Sequence, residues 1–167
     1  MRLLRRIRAM LAGLFRARAR PASAGADFLA SAVLQTRHAD DDDLLTAGLG
    51  RTGLLGPPVA FADAQRPTSA ELRRRAIQMS WKGIAWLQAA AGADTYGALA
   101  PVPGREYSAF ARVPGARASH RVLVQIPDAF DRNARCLLVA PASGSRGIYG
   151  AIAAAGAWGL PRGCAVA

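Results

Sequence analysis

A chain of 167 residues, 51% apolar and 20% charged, is long enough for one domain with a real core and too short for two. Its formal charge of +11 is concentrated at the front, where seven arginines precede the first acidic residue, Asp27. Basic residues gathered in an arm, without interleaved aromatics or a reading helix, argue against a folded nucleic-acid module, and no stretch approaches the roughly 20 apolar residues that cross a bilayer.

The first stretch, residues 1–40, reads as a basic targeting or disordered segment. It has the outline of a signal peptide: a basic start, the apolar run Ala9 to Phe15, and an Ala-x-Ala pattern at Ala22-Ser23-Ala24. The arginines between Arg16 and Arg20 break that outline, so an amphipathic helix on an anionic surface stays open beside export. Residues 41–103 read as a loop and helical region. The run Asp40-Asp41-Asp42-Asp43 lacks the alternating ligands and turn glycine of a calcium loop and is expected to start a helix, with Leu44 and Leu45 as its first buried residues. Gly48 to Pro58 is rich in glycine without the Gly-Lys-Ser/Thr ending of a phosphate loop, and is expected to be a structural loop. Thr68-Ser69-Ala70-Glu71 is a capping box. Leu72, Ala76, Met79, Gly83, Trp86, Leu87 and Ala90 follow at helical spacing, with Arg73 to Arg75 mostly on the outer face and Gly92 as the stop.

Residues 104–167 change to strands. Glu106 to Val113 and Arg121 to Ile126 flank a turn at Pro114-Gly115, and Pro127 ends the second strand. The unbroken apolar run Cys136 to Ala140 predicts a strand buried on both faces of a parallel sheet. A glycine-serine turn, a helix over Ile148 to Trp158 and a buried strand from Gly163 to Ala167 complete a βαβ unit. The fold class is therefore α/β. The sequence stops inside that last strand, which leads us to expect a truncated domain.

The chemistry concentrates at Ser143-Gly144-Ser145-Arg146-Gly147, at the C-terminal end of a parallel strand. Ser145 is a weak candidate nucleophile, because Ser-x-Ser-x-Gly is a variant of the serine elbow. Alternatively the backbone amides of Gly144, Ser145, Arg146 and Gly147 form part of an oxyanion hole, in the loop between the third strand and the first core helix. A plain capped turn is the third reading. His38 lies in the arm region and His120 beside a hairpin, so no histidine partner is evident. Two histidines and two distant cysteines, Cys136 and Cys164, do not assemble a metal site, and no cofactor is implied. The cysteines begin neighbouring parallel strands, where disulfide geometry is rare, and two buried thiols are expected.

Three stretches match a known family in order and with similar gaps. They are Asp42 to Leu54, Pro67 to Arg74, and Ser143 to Ile152 continuing through Ala155 to Leu160 and Gly163 to Ala167. Together they resemble the N-terminal part of the D-(−)-3-hydroxybutyrate oligomer hydrolases. The resemblance implies the beginning of an α/β-hydrolase-type sheet in a serine esterase that cleaves 3-hydroxybutyrate oligomers, small-molecule esters, to monomers during polyhydroxybutyrate degradation. It also implies a secreted or periplasmic protein, although the residues alone leave a cytoplasmic one open. Family members are several times longer and carry their catalytic serine beyond the last residue here. No triad residue is therefore expected in this chain, which is expected to be inactive alone. Ala157 and Pro161 stand where the family motif leads one to expect glutamate and a basic residue. The other readings are a complete small esterase using Ser145, and a basic-arm adaptor binding anionic membrane or nucleic acid.

Overall fold

The computed structural model describes residues 28–81, 99–143 and 147–167. These form an α/β structure around one mixed five-stranded sheet. The strands are β1 (Leu34–His38), β2 (Gly104–Ala111), β3 (His120–Pro127), β4 (Leu137–Leu138) and β5 (Ala165–Val166), in spatial order β1-β2-β3-β5-β4. The helices are α1 (Gly50–Leu55), α2 (Ser69–Trp81) and α3 (Ile148–Gly159).

The β2–β3 hairpin forms where the sequence predicts it. It is an unbroken antiparallel ladder from Gly104↔Pro127 to Ala111↔His120, and Gly115 takes the left-handed φ of +83° in the connecting turn. Strand β1 extends this ladder antiparallel to β2, from Leu34↔Ser108 to His38↔Gly104. The pairing starts still earlier, with the Ala30 amide donating to the Phe110 carbonyl at 2.7 Å. The expectation of little fold content up to residue 40 thus fails for this stretch. Leu-Gln-Thr-Arg-His on a sheet edge is exposed over four of its positions in part or whole, so it carries no apolar alternation to betray a strand.

The acidic run makes one 3₁₀ turn, Asp40–Asp42, in place of a helix start. Asp43 then sits fully buried, accepting the amides of Leu45, Thr46 and Gly48 and the Thr46 hydroxyl. Leu44 and Leu45 are buried as expected. Gly48 has φ +75°, and a Cβ there would lie 1.8 Å from the Asp41 carbonyl oxygen, so only glycine closes this turn. The following segment corrects another expectation: Gly50–Leu55 is helical, pinned by buried Leu54.

Helix α2 starts with the predicted capping box. The Glu71 amide donates to Thr68 Oγ1 at 3.2 Å, and the Thr68 amide donates to Glu71 Oε2 at 2.8 Å. Its inward face differs from the predicted one. Leu72 and Met79 are about half exposed, whereas Arg73, Ile77, Gln78, Ser80 and Trp81 are buried. Of the residues predicted to continue this helix, Gly83, Trp86, Leu87, Ala90 and Gly92 lie outside the described residues. Leu44, Ile77, Trp81, Leu123, Ile152 and Leu160 share one apolar core under the covered face of the sheet.

The β4–α3–β5 unit exists, with β4 and β5 parallel and Ala165↔Leu137 in register. Strand β5 is buried, but β4 is a two-residue edge strand with Leu137 56% exposed and Val139, just after it, 68% exposed. The expectation of a strand buried on both faces fails: β4 is the last strand of the sheet, and only Leu138 packs against the core. The cysteines are also corrected. Cys136 and Cys164 form a disulfide with a Cα–Cα separation of 4.6 Å. Each stands just ahead of its short strand, where the Ala165 amide reaches the Cys136 carbonyl and the two chains draw close.

Candidate functional site

The predicted loop meets the body of the structure at Gly147. This residue caps α3 with φ 67° and ψ −176°, a conformation available in practice only to glycine. Gly144, Ser145 and Arg146 lie outside the described residues, while Ser143 is exposed. Gly147 and its successors Ile148 and Tyr149 line a cleft of about 550 Å³, closed on the other side by Met79 and Ser80 of α2 and by Arg121 at the start of β3. Its wall is mostly hydrocarbon with a few polar groups, the composition of a site for a small, weakly polar ligand.

A buried polar seam fixes the floor of that cleft. Glu106 points inward from β2, only 5% exposed. Its Oε1 accepts the Tyr149 hydroxyl at 2.7 Å; its Oε2 accepts Gln125 Nε2 at 3.0 Å and lies 3.4 Å from Arg73 Nε. The Arg73 guanidinium continues to Asp42 Oδ1 at 2.7 Å and to the Asp43 carbonyl. Burial first, and then the neighbouring Glu106 carboxylate, push the Tyr149 hydroxyl far above the ordinary tyrosine range. Tyr149 therefore stays neutral and donates, which anchors the first turn of α3 to the sheet. Among the described residues, the buried Gln125 Oε1 has no hydrogen-bond partner.

Sequence reasoning missed Arg73, Glu106 and Gln125. The helical pattern of Leu72, Ala76 and Met79 puts Arg73 mostly on the outer face of α2, yet it lies at helical spacing from buried Ile77 and Trp81. Gly104, Glu106 and Ser108 alternate along β2, which was the available signal that Glu106 shares a face with the inward-pointing glycine.

The two histidines occupy opposite ends of the ladder. His38 is buried, with Nδ1 2.8 Å from Asp42 Oδ2 and Nε2 2.6 Å from Thr36 Oγ1, so it belongs to the seam and not to a loose arm. His120 is exposed and packs edge-on against Phe28. Among the described residues, neither histidine hydrogen-bonds a serine, and no group of three or more His, Cys, Asp and Glu side chains could hold a metal ion. No described helix is long and apolar enough to cross a membrane.

A family model described as 3HB-oligomer hydrolase matches residues 15–167. The chain belongs to this family. It is 44% identical over 156 residues to a D-(−)-3-hydroxybutyrate oligomer hydrolase of Burkholderia ambifaria, covering 84% of this chain and 22% of the relative. Similar proteins of the same name occur in Paraburkholderia xenovorans, 44% identical over 84% of the chain and 22% of the relative, and in Cupriavidus metallidurans, 45% identical over 75% of the chain and 19% of the relative. The chain thus spans about a fifth of the length of these relatives. No solved structure matches it. The cleft, the Gly147 cap and the buried seam all lie within the matched span.

Proposed function

We propose that this chain forms the front part of a serine esterase that hydrolyses oligomers of D-3-hydroxybutyrate to monomers, and that its sheet is the beginning of an α/β-hydrolase-type sheet. The observation that carries this reading is the glycine-only cap at Gly147, opening on an apolar cleft at the C-terminal end of a parallel strand, in a chain of this family. In this reading the amides of Gly144 to Gly147 receive the charge that develops on the ester oxygen, an effect of about 3 kcal/mol per donor.

The chemistry is acyl transfer. A serine hydroxyl loses its proton to a histidine and attacks the ester carbonyl. The alcohol end leaves with that proton, and water then releases the acyl group. Neither His38 nor His120 is placed for this, so we assign the nucleophile and base to the part of the relatives' length that this chain does not span. Alone, the chain should bind substrate without turning it over, and Ser145 is left a loop role. We further place the protein in the periplasm or outside the cell. The Cys136–Cys164 disulfide supports an oxidising compartment, and the basic, then apolar, start supports export.

The test is a chimera in which this chain replaces the matching residues of the Burkholderia ambifaria relative. We expect it to hydrolyse D-3-hydroxybutyrate trimer, and Gly147→Ala in the chimera to lower kcat roughly 100-fold with little change in KM. A folded chimera without turnover would overturn the esterase reading. Turnover that Gly147→Ala leaves unchanged would remove the oxyanion role from this loop.

A further inference from the structure

Among the described residues, two depressions on the covered side of the sheet share one cation. The cleft at Gly147 has Arg121 on its wall, and so does a second hollow of about 330 Å³ walled by Leu34, Ser108 and Phe110. Arg121 stands at the exposed start of β3, opposite Phe110 in the ladder. Among the described residues the ion pairs use Arg37, His38, Arg66 and Arg73, and Arg121 enters none of them. The carboxylate buried beneath the cleft, Glu106, is already engaged by Arg73, Gln125 and Tyr149.

Around this cation the exposed surface is hydrocarbon. Leu34 is 62% exposed, Phe110 48% and Met79 45%. A guanidinium offers a planar fork that matches a carboxylate, and apolar walls beside it select an anion with an aliphatic body over a small hydrated one. A linear ester oligomer of a hydroxy acid has that form, with methyl-bearing links and one free carboxylate at its end.

Resting on the esterase reading above, we propose that Arg121 anchors the terminal carboxylate of the oligomer. Because Arg121 and Gly147 line the same cleft, the ester bond nearest the acid end is the one presented at Gly147. Cleavage there transfers the remainder of the chain to the serine and releases the terminal hydroxy acid as the leaving alcohol. Oligomers are then shortened one unit at a time from the acid end.

The experiment uses the full chain in solution, titrated with D-3-hydroxybutyrate trimer and with the methyl ester of that trimer, followed by calorimetry. We expect the free acid to bind tighter than the methyl ester. Arg121→Gln should weaken the acid roughly tenfold and leave the methyl ester unchanged, with Arg121→Lys in between. An unchanged acid affinity in Arg121→Gln, or equal loss for both probes, would overturn the anchor while leaving the cleft as the substrate site. If neither probe binds the unsubstituted chain, the cleft is not a substrate site, and the anchor falls with it.

Discussion

The two halves of the sheet are held together by different means. The β1–β2–β3 half has long antiparallel ladders, eight residues each in β2 and β3, and beneath them a polar seam. The β5–β4 half has strands of two residues, a single pairing of Gln125 with Val166 to the rest of the sheet, and a disulfide. Its helix packs through small residues: a Cβ at Gly159 would meet the Leu138 side chain at 2.3 Å, and Ala153 and Ala157 are buried. Where the ladder is long, Glu106 and Gln125 are held opposite each other in register, and the buried charge keeps its partners. Where it is short, close contact and a covalent link replace it.

The largest test of this contrast is Glu106→Ala. Removing the carboxylate takes the acceptor from the Tyr149 hydroxyl and one partner each from Arg73, which keeps Asp42, and from Gln125, which keeps the Leu44 carbonyl. Breaking a buried charge pair from one side costs about 3–5 kcal/mol, and because Asp42 still pairs Arg73 we expect a loss near the lower end of that range in urea denaturation. A loss below about 1 kcal/mol would show that the seam is wet and the ladder alone sustains this half. Tyr149 adds a pH reading of the same seam. Its folded-state pKa is raised, so its contribution is complete below the ordinary tyrosine range and is lost as pH rises through the folded value. Ultraviolet titration should show one tyrosine ionising only with alkaline unfolding.

On the other half, the Cys136–Cys164 link closes a loop with a sequence separation of 28. Chain-entropy reasoning gives about 3.5 kcal/mol for a loop of that size. The double substitution to serine should lower stability by that amount and loosen β4 and α3 selectively, seen as faster amide exchange there than in β2 and β3. Uniform loosening would mean that the two halves form one cooperative unit. Gly147→Ala comes next, at about 1–3 kcal/mol. Among the described residues no atom lies within 4 Å of the added Cβ, so the cost is conformational.

The sequence made the locally coded pieces of both halves legible and their long-range partnerships not, for physical reasons. The β2–β3 hairpin, the capping box and α3 follow from local signals: alternation, a turn glycine and helical spacing. Strand β1 was invisible because an edge strand needs no apolar face. The seam was invisible because Arg73 and Glu106 become partners only across 33 residues of sequence, and a charge in isolation reads as solvated. The disulfide was misjudged from average parallel-strand geometry, whereas Cys136 and Cys164 sit just before the strands begin. Of the candidate loop, Ser143 and Gly147 are among the described residues, and the φ of Gly147 explains why glycine stands there.

The smallest expected effect tests whether α2, which closes the cleft, depends on its own cap or on the seam. In the capping box the Glu71 carboxylate accepts the amides of Ala62 and Thr68 and the Thr68 hydroxyl. The Ala62 amide first, and then the two Thr68 groups, hold its carboxyl below the usual carboxylate range. A depressed folded-state pKa contributes stability above the unfolded carboxyl pKa, and that contribution is lost as pH falls through the folded value. Thr68→Ala removes the acceptor of the Glu71 amide, a loss of about 1 kcal/mol at neutral pH. The gap between Thr68→Ala and the unsubstituted chain should then narrow as pH is lowered through the carboxylate range, because the Glu71 half of the box is lost in both. A pH-independent gap would show that the hydroxyl acts without its carboxylate partner. Helix α2 would in that case owe its position to Arg73 and Trp81, buried at its inner face, more than to its start.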